Sequence, residues 1–344
     1  MMSPKISADL FDITFIGAGP TGLFGAFYAG LREMKVKVID ALPQPGGQLI
    51  ALYPDKMIYD TPGFPAILAK ELASCLTEQA TQWKPIMALE ERAINLTRAP
   101  LPGGDNGQEC WILETDKDVH YSRTVVIAAG IGAFRPTKLN NESIARFEGK
   151  GVEYWVKDVN DYAGMRVLIV GGGDSAVDWS LALDPIAEHV TLIHRRQGFR
   201  AHDTSVNALM ESSVDTRIFY ELREFQGDES LERALIFDNR TDDETTIEID
   251  AGILALGFKA DLGPIREWGL ETIGRRYIKV NSKMETNLPG VYAAGDIALQ
   301  EETDPLNLIV VGYGQVTVAV NYAYAAVKPG GKVFPGHSSE RMAE

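Results

Sequence analysis

Two short stretches decide the fold of this chain, and both follow the same plan. The first is Ile13-Thr14-Phe15-Ile16-Gly17-Ala18-Gly19-Pro20-Thr21-Gly22, and the second is Val167-Leu168-Ile169-Val170-Gly171-Gly172-Gly173-Asp174-Ser175-Ala176. Each joins an apolar run, typical of a buried parallel strand, to a glycine-rich turn and a helical segment. A second apolar run follows, Val36–Ile39 in the first copy and a run ending at Ile193 in the second. The sequence therefore predicts two βαβ units.

The two units differ in the residue that follows their second strand. The position 23 residues beyond the first glycine of the turn is Asp40 in the first unit and His194 in the second. His194 is followed by Arg195 and Arg196, and Arg200 lies four residues further on. A carboxylate at this position can accept hydrogen bonds from a ribose diol, whereas guanidinium groups suit a 2′-phosphate. Asp40 could instead be a solvated strand-end acid, and the arginines a surface cluster in an acidic chain. The shared register favours FAD or NAD in the first unit and NADP(H) in the second.

The turns themselves have the composition of pyrophosphate-binding loops. Glycines permit a tight turn and let a pyrophosphate approach the backbone N–H groups at a helix N-terminus. The second turn has Ala176 where the first has Gly22, a substitution that this motif permits. The predicted binding residues of the turns are Gly17, Gly19, Thr21, Gly22, Gly171, Gly173, Asp174 and Ser175.

Length, composition and charge restrict the class of protein. The 344 residues are enough for two domains, and the 45% hydrophobic and 24% charged content is ordinary for a globular protein. A net charge of −15 argues against binding to nucleic acid or to an anionic membrane. No run has the ~18 apolar residues of a membrane span, and Met1–Lys5 lacks the apolar core of a secretory signal. We expect a cytoplasmic protein.

The two cysteines, Cys75 and Cys110, predict no metal site. They lie 35 residues apart, without a CxxC pair or metal-ligand spacing. We expect two reduced structural thiols.

The order of segments predicts one domain inserted within another. Residues 1–132 and 257–344 would form an FAD-binding domain, and residues 133–256 an NADP(H)-binding domain, with the two crossings as a hinge. The fold class is α/β, with two Rossmann-like, three-layer ββα domains. Gly290–Asp296 reads as a buried strand of the first domain that ends in a carboxylate. Asp296 could cap the following segment or accept hydrogen bonds from ribityl hydroxyls of a flavin.

Seven motifs, taken in order, resemble those of thioredoxin reductases over essentially the whole chain. They are GAGPTG (17–22), GGQ (46–48), TPGFP (61–65), GGGDSA (171–176), HRR (194–196), FRA (199–201) and AAGD (293–296). Thioredoxin reductases carry a CxxC dithiol just before the second glycine-rich strand, where this chain has Trp155 and Asp158 instead of cysteines. Without a dithiol, electrons cannot pass to a thioredoxin disulfide by exchange.

The stretch Gly46–Pro65 and the tail Pro335–Ser339 resemble more closely the thioredoxin-reductase-like ferredoxin–NADP(+) reductases. The resemblance implies FAD and NADP(H) as cofactors, ferredoxin or flavodoxin as partner, and a homodimer in which the tail crosses between subunits. It implies that Tyr53 stacks on one flavin face, that His337 covers the other, and that Ser339 lies near the reactive edge. Phe334 is a rival for the role of His337. The other flavin-site residues implied are Gln48, Ala93, Phe134 and Asp296.

Each of these roles has a plainer alternative. Tyr53 could be a loop aromatic packed on the core, and His337 an exposed histidine in a frayed terminus.

Hydride transfer between two bound cofactors needs no catalytic side-chain acid, so the absence of a recognisable catalytic triad or acid pair is consistent with a reductase. We predict a ferredoxin–NADP(+) reductase. The alternatives are an NADPH-dependent flavin diaphorase with a quinone or other small-molecule acceptor, and a non-catalytic NADP(H)-sensing flavoprotein.

Overall fold

The computed structural model describes residues 9–103, 109–132, 135–156, 158–259, 262–334 and 336–337. The chain divides into two compact units, Met1–Phe134 with Ala260–Glu344 (unit 1) and Arg135–Lys259 (unit 2). The strands at the two crossings, β9 (Arg135–Pro136) and β18 (Phe258–Lys259), pair antiparallel with each other, so both belong to unit 2. The breaks predicted after residues 132 and 256 fall just before this ribbon.

Unit 1 contains twelve of the strands, numbered in chain order, and four of the α-helices that the described residues form. The strands are β1 (Leu10–Ile16), β2 (Val36–Ile39), β3 (Met57–Ile58), β4 (Ile67–Leu68), β5 (Ile86–Ala88), β6 (Ala93–Pro100), β7 (Glu109–Thr115), β8 (Val119–Ile127), β19 (Thr272–Ile273), β20 (Tyr277–Val280), β21 (Val291–Ala293) and β22 (Ala298–Gln300). The helices are α1 (Pro20–Leu31), α2 (Gln48–Ala51), α3 (Ala69–Thr81) and α7 (Ile309–Val327), with a 3-10 turn at Gly263–Glu267.

The sheet of unit 1 gathers five parallel strand ends at one edge. Strands β5, β2, β1 and β8 lie side by side in that order, and β21 pairs with the other side of β8. The inner strands carry β-branched and aromatic residues that are fully buried, such as Phe15, Val38 and Val126. This burial on both faces is what the continuous apolar runs of the sequence predict.

Helix α1 is pressed between the sheet and α7. A Cβ on Gly25 would lie 2.5 Å from the ring of Phe15 and 2.5 Å from Val316, so only glycine allows this approach. The N-terminus of α1 is thereby fixed at the edge where the parallel strands end.

Unit 2 repeats the parallel sheet and adds an antiparallel layer. Its strands are β9, β10 (Val152–Glu153), β11 (Arg166–Gly171), β12 (His189–His194), β13 (Asp215–Ile218), β14 (Tyr220–Gln226), β15 (Arg233–Asp238), β16 (Glu244–Glu248), β17 (Ala251–Ala255) and β18, and its helices are α4 (Glu142–Phe147), α5 (Asp174–Leu183) and α6 (Asp203–Glu211), with a 3-10 turn at Val159–Tyr162. The parallel order is β10-β17-β11-β12-β13, and β14-β15-β16 form the antiparallel layer. The predicted α/β class with parallel sheets is confirmed.

No helix within the described ranges combines the length and apolar character that crossing a membrane requires.

Candidate nucleotide-binding sites

The first glycine-rich turn lies where β1, β2 and β8 end together. Gly17 has a φ of +114°, and its N–H donates to the carbonyl of Ile39 at 2.8 Å. A Cβ on Gly17 would lie 2.4 Å from the Ala128 carbonyl oxygen, and one on Gly22 would lie 1.8 Å from the Gly17 oxygen. Neither position can accept a side chain, so the two glycines lock the turn against the strand ends.

Gly19 leaves an open cradle at the start of α1. It is the N-cap residue, and within the described part of the chain no side chain caps the helix. The backbone of Gly47, with a φ of +56°, faces it: a Cβ on Gly19 would be 3.8 Å from the Gly47 Cα atom. Uncapped N–H groups at a helix N-terminus, with two glycines facing each other, fit a pyrophosphate.

Asp40 follows β2 at this same edge, and its carboxylate faces the turn. Oδ2 accepts the Ala18 N–H at 2.5 Å, and Oδ1 accepts the Leu42 N–H at 2.8 Å. Burial raises the pKa of Asp40, and these two hydrogen bonds oppose that rise. Each carboxylate oxygen has a second lone pair, so Asp40 can still accept hydrogen bonds from a ribose diol.

Gln48, Asp296 and Tyr53 lie together on the far side of the turn. Gln48 is the first residue of α2, and its Nε2 donates to Asp296 Oδ2 at 3.2 Å. Burial raises the pKa of Asp296, and burial together with the nearby Asp296 charge raises the pKa of Tyr53 to about 12. Tyr53 packs against the core of unit 1. A half-buried carboxylate, an amide and a phenol thus converge at one end of the cradle.

Sequence reasoning missed Gln315, which holds this group in place. The Gly295 N–H donates to Gln315 Oε1 at 2.7 Å, and Gly295 has a φ of +79°. Thr21 packs into the same corner, because a Cβ on Gly312 would lie 2.2 Å from its Oγ1. Gln315 lies inside an apolar helix, where the sequence gives no sign that a side chain reaches back to a strand end.

The other flavin-site residues predicted in unit 1 do not all lie beside Gln48, Tyr53 and Asp296. Ala93 begins β6, two residues after Glu91, whose N–H donates to the Asp40 carbonyl at 2.9 Å. His337 packs edge-on against Phe334, with ring centroids 5.8 Å apart. Phe334 follows Val333, whose carbonyl accepts a hydrogen bond from Arg32 at the C-terminal end of α1. Asp296 lies near the other end of α1, because the adjacent Gly295 packs against Thr21. Phe134 and Ser339 lie outside the described residues.

The second turn repeats this geometry in unit 2. A Cβ on Gly171 would lie 2.4 Å from the Ala255 carbonyl oxygen, which matches the relation between Gly17 and Ala128. Gly173 is the N-cap of α5, and a Cβ there would meet no atom within 4 Å. Asp174 is turned aside, since its Oδ1 accepts the His202 N–H at 3.0 Å, and Ser175 is exposed. The open face at Gly173 fits a second pyrophosphate.

His194 shapes the second turn from inside. Its ring lies under Gly172, where a Cβ would be 2.1 Å away, and stacks on Phe199 at 4.9 Å. Nε2 is 3.0 Å from the Gly198 carbonyl and donates to it. Burial lowers the pKa of His194, and Arg195, Arg196 and Arg200 lower it further. The histidine side chain is packed beneath the turn, and its direct contact with a phosphate stays a prediction.

The three arginines form the exposed basic part of this site. Arg195 and Arg196 follow β12 directly, and all three side chains are exposed. The Arg200 N–H donates to the Gly172 carbonyl at 2.7 Å, which holds it beside the turn. Arg195 and Arg196 thus begin at the end of β12 and Arg200 beside the turn, so that three positive charges lie in this part of unit 2. This concentration of guanidinium groups fits a phosphate monoester.

The place of the missing dithiol is filled by structural residues. Trp155 packs against a core cluster of unit 2, and Asp158 caps the 3-10 turn by accepting the Asn160 N–H at 2.9 Å. Cys75 and Cys110 are both free thiols.

Comparison with known proteins decides the family. Residues 11–324 match the family model described as pyridine nucleotide-disulphide oxidoreductase. The chain belongs to this family. Among its relatives, proteins named ferredoxin–NADP reductase are 52% identical in Symbiobacterium thermophilum (97% of this chain, 98% of the relative), 50% in Sulfurisphaera tokodaii (96% and 97%) and 48% in Halalkalibacterium halodurans (96% and 98%). The resemblance that the sequence motifs indicated is confirmed, and FAD and NADP(H) are the cofactors that this family membership supports.

Solved structures confirm the fold. Thioredoxin reductase from T. acidophilum superposes with a TM-score of 0.77 at 23% identity, over 92% of this chain and 98% of that one. The enzyme from Lactococcus lactis gives a TM-score of 0.76 at 24% identity, over 92% and 99%. At these identities the likeness shows the two-domain fold alone.

Proposed function

We propose that this protein is a ferredoxin–NADP(+) reductase that exchanges electrons between NADP(H) and ferredoxin or flavodoxin through FAD. The observation that carries the proposal is the pair of matched βαβ units, whose strand ends offer a carboxylate in one and a cluster of guanidinium groups in the other. The names of relatives that are about half identical over nearly the full length support the same conclusion.

FAD would be held by unit 1. Gly17 and Gly22 shape the turn, Gly19 and Thr21 lie at the N-terminus of α1, and Asp40 would accept the adenosine ribose hydroxyls. At the other end of the cradle, Gln48, Tyr53 and Asp296 would contact the ribityl chain and the flavin. Ala93 and Phe134 keep the lining role that the family resemblance implies.

NADP(H) would be held by unit 2. The N–H groups at the start of α5, around Gly173 and Ser175, would face the pyrophosphate, and Gly171 permits the turn. Arg195 and Arg196 would bind the 2′-phosphate, with Arg200 adding charge from the side. Asp174 and His194 would support the loop, through bonds to the His202 amide and the Gly198 carbonyl.

When bound, FAD would supply hydride exchange with NADP(H) and single-electron exchange with an iron–sulfur or flavin partner. The chain's own residues bind and orient the cofactors. Disulfide exchange with a thioredoxin is excluded as the second half-reaction, because the sequence has no CxxC pair.

The tail would act across a homodimer. In this chain the tail is bonded at the C-terminal end of α1, and that helix of 12 residues is about 18 Å long. Its own flavin cradle lies at the other end, so His337 is better directed toward a second copy, and Ser339 keeps the role that the family resemblance implies. Exposed apolar side chains offer a dimer surface: Phe64, Leu306, Leu308 and Val310 are 38–63% exposed, and Phe64 and Val310 line a groove of about 830 Å³.

An assay with separate acceptors tests the proposal. The purified protein should be yellow, and it should reduce cytochrome c with NADPH much faster when ferredoxin is added. Quinone or dye reduction without any effect of ferredoxin would instead indicate a diaphorase. Binding of NADPH without reduction of the flavin would indicate a sensing protein.

A further inference from the structure

A buried arginine joins the end of α1 to the C-terminal segment. Arg32 is 2% exposed and is the C-cap residue of α1. Its Nη2 donates to the Lys332 carbonyl at 2.7 Å, and its Nη1 donates to the Val333 carbonyl at 2.8 Å and to Asn321 Oδ1. These contacts cross about 300 residues of sequence.

Further groups surround the guanidinium and make its burial possible. It lies over the ring of Tyr324, 3.7 Å from the centroid. Asn321 is oriented in turn, since its Nδ2 donates to the Thr317 carbonyl at 3.0 Å and to the Tyr28 hydroxyl at 3.3 Å. A buried charge is tolerated where it is hydrogen-bonded, and here both Nη atoms donate to acceptors while the aromatic ring covers one face of the guanidinium. The arginine therefore depends on the tail carbonyls, and the tail depends on the arginine.

A tight turn brings the two carbonyls to the arginine. Helix α7 ends at Val327, and the Gly331 N–H donates back to the Lys328 carbonyl at 2.8 Å. A Cβ on Gly331 would lie 2.9 Å from that carbonyl and 2.9 Å from the Tyr324 ring, so the turn requires glycine there. The chain then passes over Arg32 and leaves Phe334, 67% exposed, packed edge-on against His337.

We propose that Arg32 is a positioning residue that moors the C-terminal segment, so that the end of α1 sets where the Phe334–His337 pair stands. The mooring itself follows from the contacts of this chain. Its consequence for the flavin rests on the proposed function, in which this aromatic pair covers a flavin.

Trypsin provides a direct test, because it cleaves the peptide bond after Lys332, and the carbonyl of that bond accepts a hydrogen bond from Arg32. Trypsin must draw this segment out of its bonded position to cleave it, while Lys328 is protected by the following Pro329. In the full-length protein, Arg32→Met should speed the appearance of a C-terminus at Lys332 by about tenfold or more, since charge-assisted hydrogen bonds are lost. Arg32→Lys, with one donor group in place of a fork, should lie between the two.

Matched variants separate the mooring from general destabilisation. Arg98→Met removes a half-exposed arginine of the same unit, and trypsin should cleave this variant after Lys332 at the wild-type rate. Gly331→Ala should also speed cleavage after Lys332, because it disrupts the turn while Arg32 is unchanged. Gly314→Ala should leave the cleavage rate unchanged, because an added Cβ there would have no atom within 4 Å. If Arg32→Met fails to fold, the cleavage rate of Arg32→Lys provides the test. A wild-type rate of cleavage after Lys332 in whichever Arg32 variant folds would overturn the proposal.

The visible spectrum of the bound flavin tests the consequence. A chain ending at Lys332 lacks the aromatic pair and should show a shifted flavin band. Arg32→Met should shift the band in the same direction by a smaller amount, and Arg98→Met should not. A shift on truncation but none in Arg32→Met would mean that Arg32 does not set the position of the pair. No shift on truncation would count against the flavin-covering role in the proposed function, and the cleavage result would still decide the mooring.

Discussion

The two βαβ units share one backbone design and differ in how they would read a nucleotide. In both, the first glycine of the turn has the same relation to a neighbouring strand, with an added Cβ 2.4 Å from the oxygen of Ala128 or Ala255. After the second strand, unit 1 has Asp40 with its carboxylate toward the turn. Unit 2 has His194 at the matched position, buried and packed under Gly172, and the exposed groups are the arginines that follow.

The difference shows that matched positions in a repeat need not have matched roles. Burial raises the pKa of Asp40 and lowers that of His194, so burial acts against the charged form at both positions. In unit 1 the carboxylate at this position faces the turn, and in the proposed function it would itself contact a ribose. In unit 2 the residue at this position lies beneath the turn, and in the proposed function Arg195 and Arg196 would contact the ligand instead.

The largest effect should come from the last position of the turn, which is Gly22 in unit 1 and Ala176 in unit 2. Gly22→Ala places a Cβ 1.8 Å from the Gly17 oxygen and should cost about 4 kcal/mol, with loss of bound FAD. Ala176→Gly should cost only about 1 kcal/mol, from helix propensity. Scanning calorimetry of both variants measures the contrast, and equal losses would show that the two turns are equivalent here.

The next largest effect should distinguish the two dinucleotides. Arg195→Ala with Arg196→Ala should weaken NADPH binding by about 100-fold, since two charge-assisted contacts are lost, and should change NADH binding little. The adjacent exposed pair Arg275 and Arg276 in unit 1 offers a control of the same charge change. Steady-state KM values for both nucleotides measure it. A parallel loss for NADPH and NADH would mean that the arginines do not bind the 2′-phosphate.

A smaller effect is expected at Asp40. Asp40→Ala removes acceptors for a ribose diol and for the Ala18 and Leu42 N–H groups, and should weaken FAD binding by about tenfold. Asp40→Asn retains one acceptor oxygen and should lose less. Fluorescence titration of the apoprotein with FAD gives the affinities, with the exposed Asp9→Ala as control. Wild-type affinity in Asp40→Ala would remove the residue from the site.

The smallest effect concerns pH and the matched residue of unit 2. Because the pKa of His194 is lowered in the folded state, its contribution to stability is present above the ordinary value of 6.5 and is lost as the pH falls. His194→Gln, which can keep a donor toward the Gly198 carbonyl, should therefore lose less stability between pH 7 and pH 5 than the wild type. Thermal unfolding at both values checks this. An identical loss in variant and wild type would show that the protonation of His194 does not matter.

Much of the fold could be predicted from the sequence, because strand runs and glycine turns are local signals. Strand β2 has the bounds of the predicted apolar run Val36–Ile39, and the predicted helical segments after the two glycine-rich turns are α1 and α5. The first turns of helix α7, which begins at Ile309, are not signalled by the local sequence, because they contain Gly312 and Gly314 and glycine lowers helix propensity. Gly312 is there for the close approach of Thr21, a tertiary contact that no local pattern reports.

The side-chain arrangement of the sites was less predictable for the same reason. The register of the repeat singled out Asp40 and the arginines, but not that His194 turns inward beneath Gly172. Gln315 and Arg32 escaped notice because their partners lie 20 and about 300 residues away. Such long-range bonds depend on how α1 and α7 pack, not on a motif.

An anaerobic titration tests the central claim most directly, namely that one unit holds FAD, the other NADP(H), and that electrons leave to ferredoxin. One equivalent of NADPH, a two-electron donor, should bleach the flavin band, and NADH should do so far less well. Two equivalents of oxidised ferredoxin, each accepting one electron, should then restore the band. A flavin that NADPH does not bleach, or that ferredoxin does not reoxidise, would contradict the account.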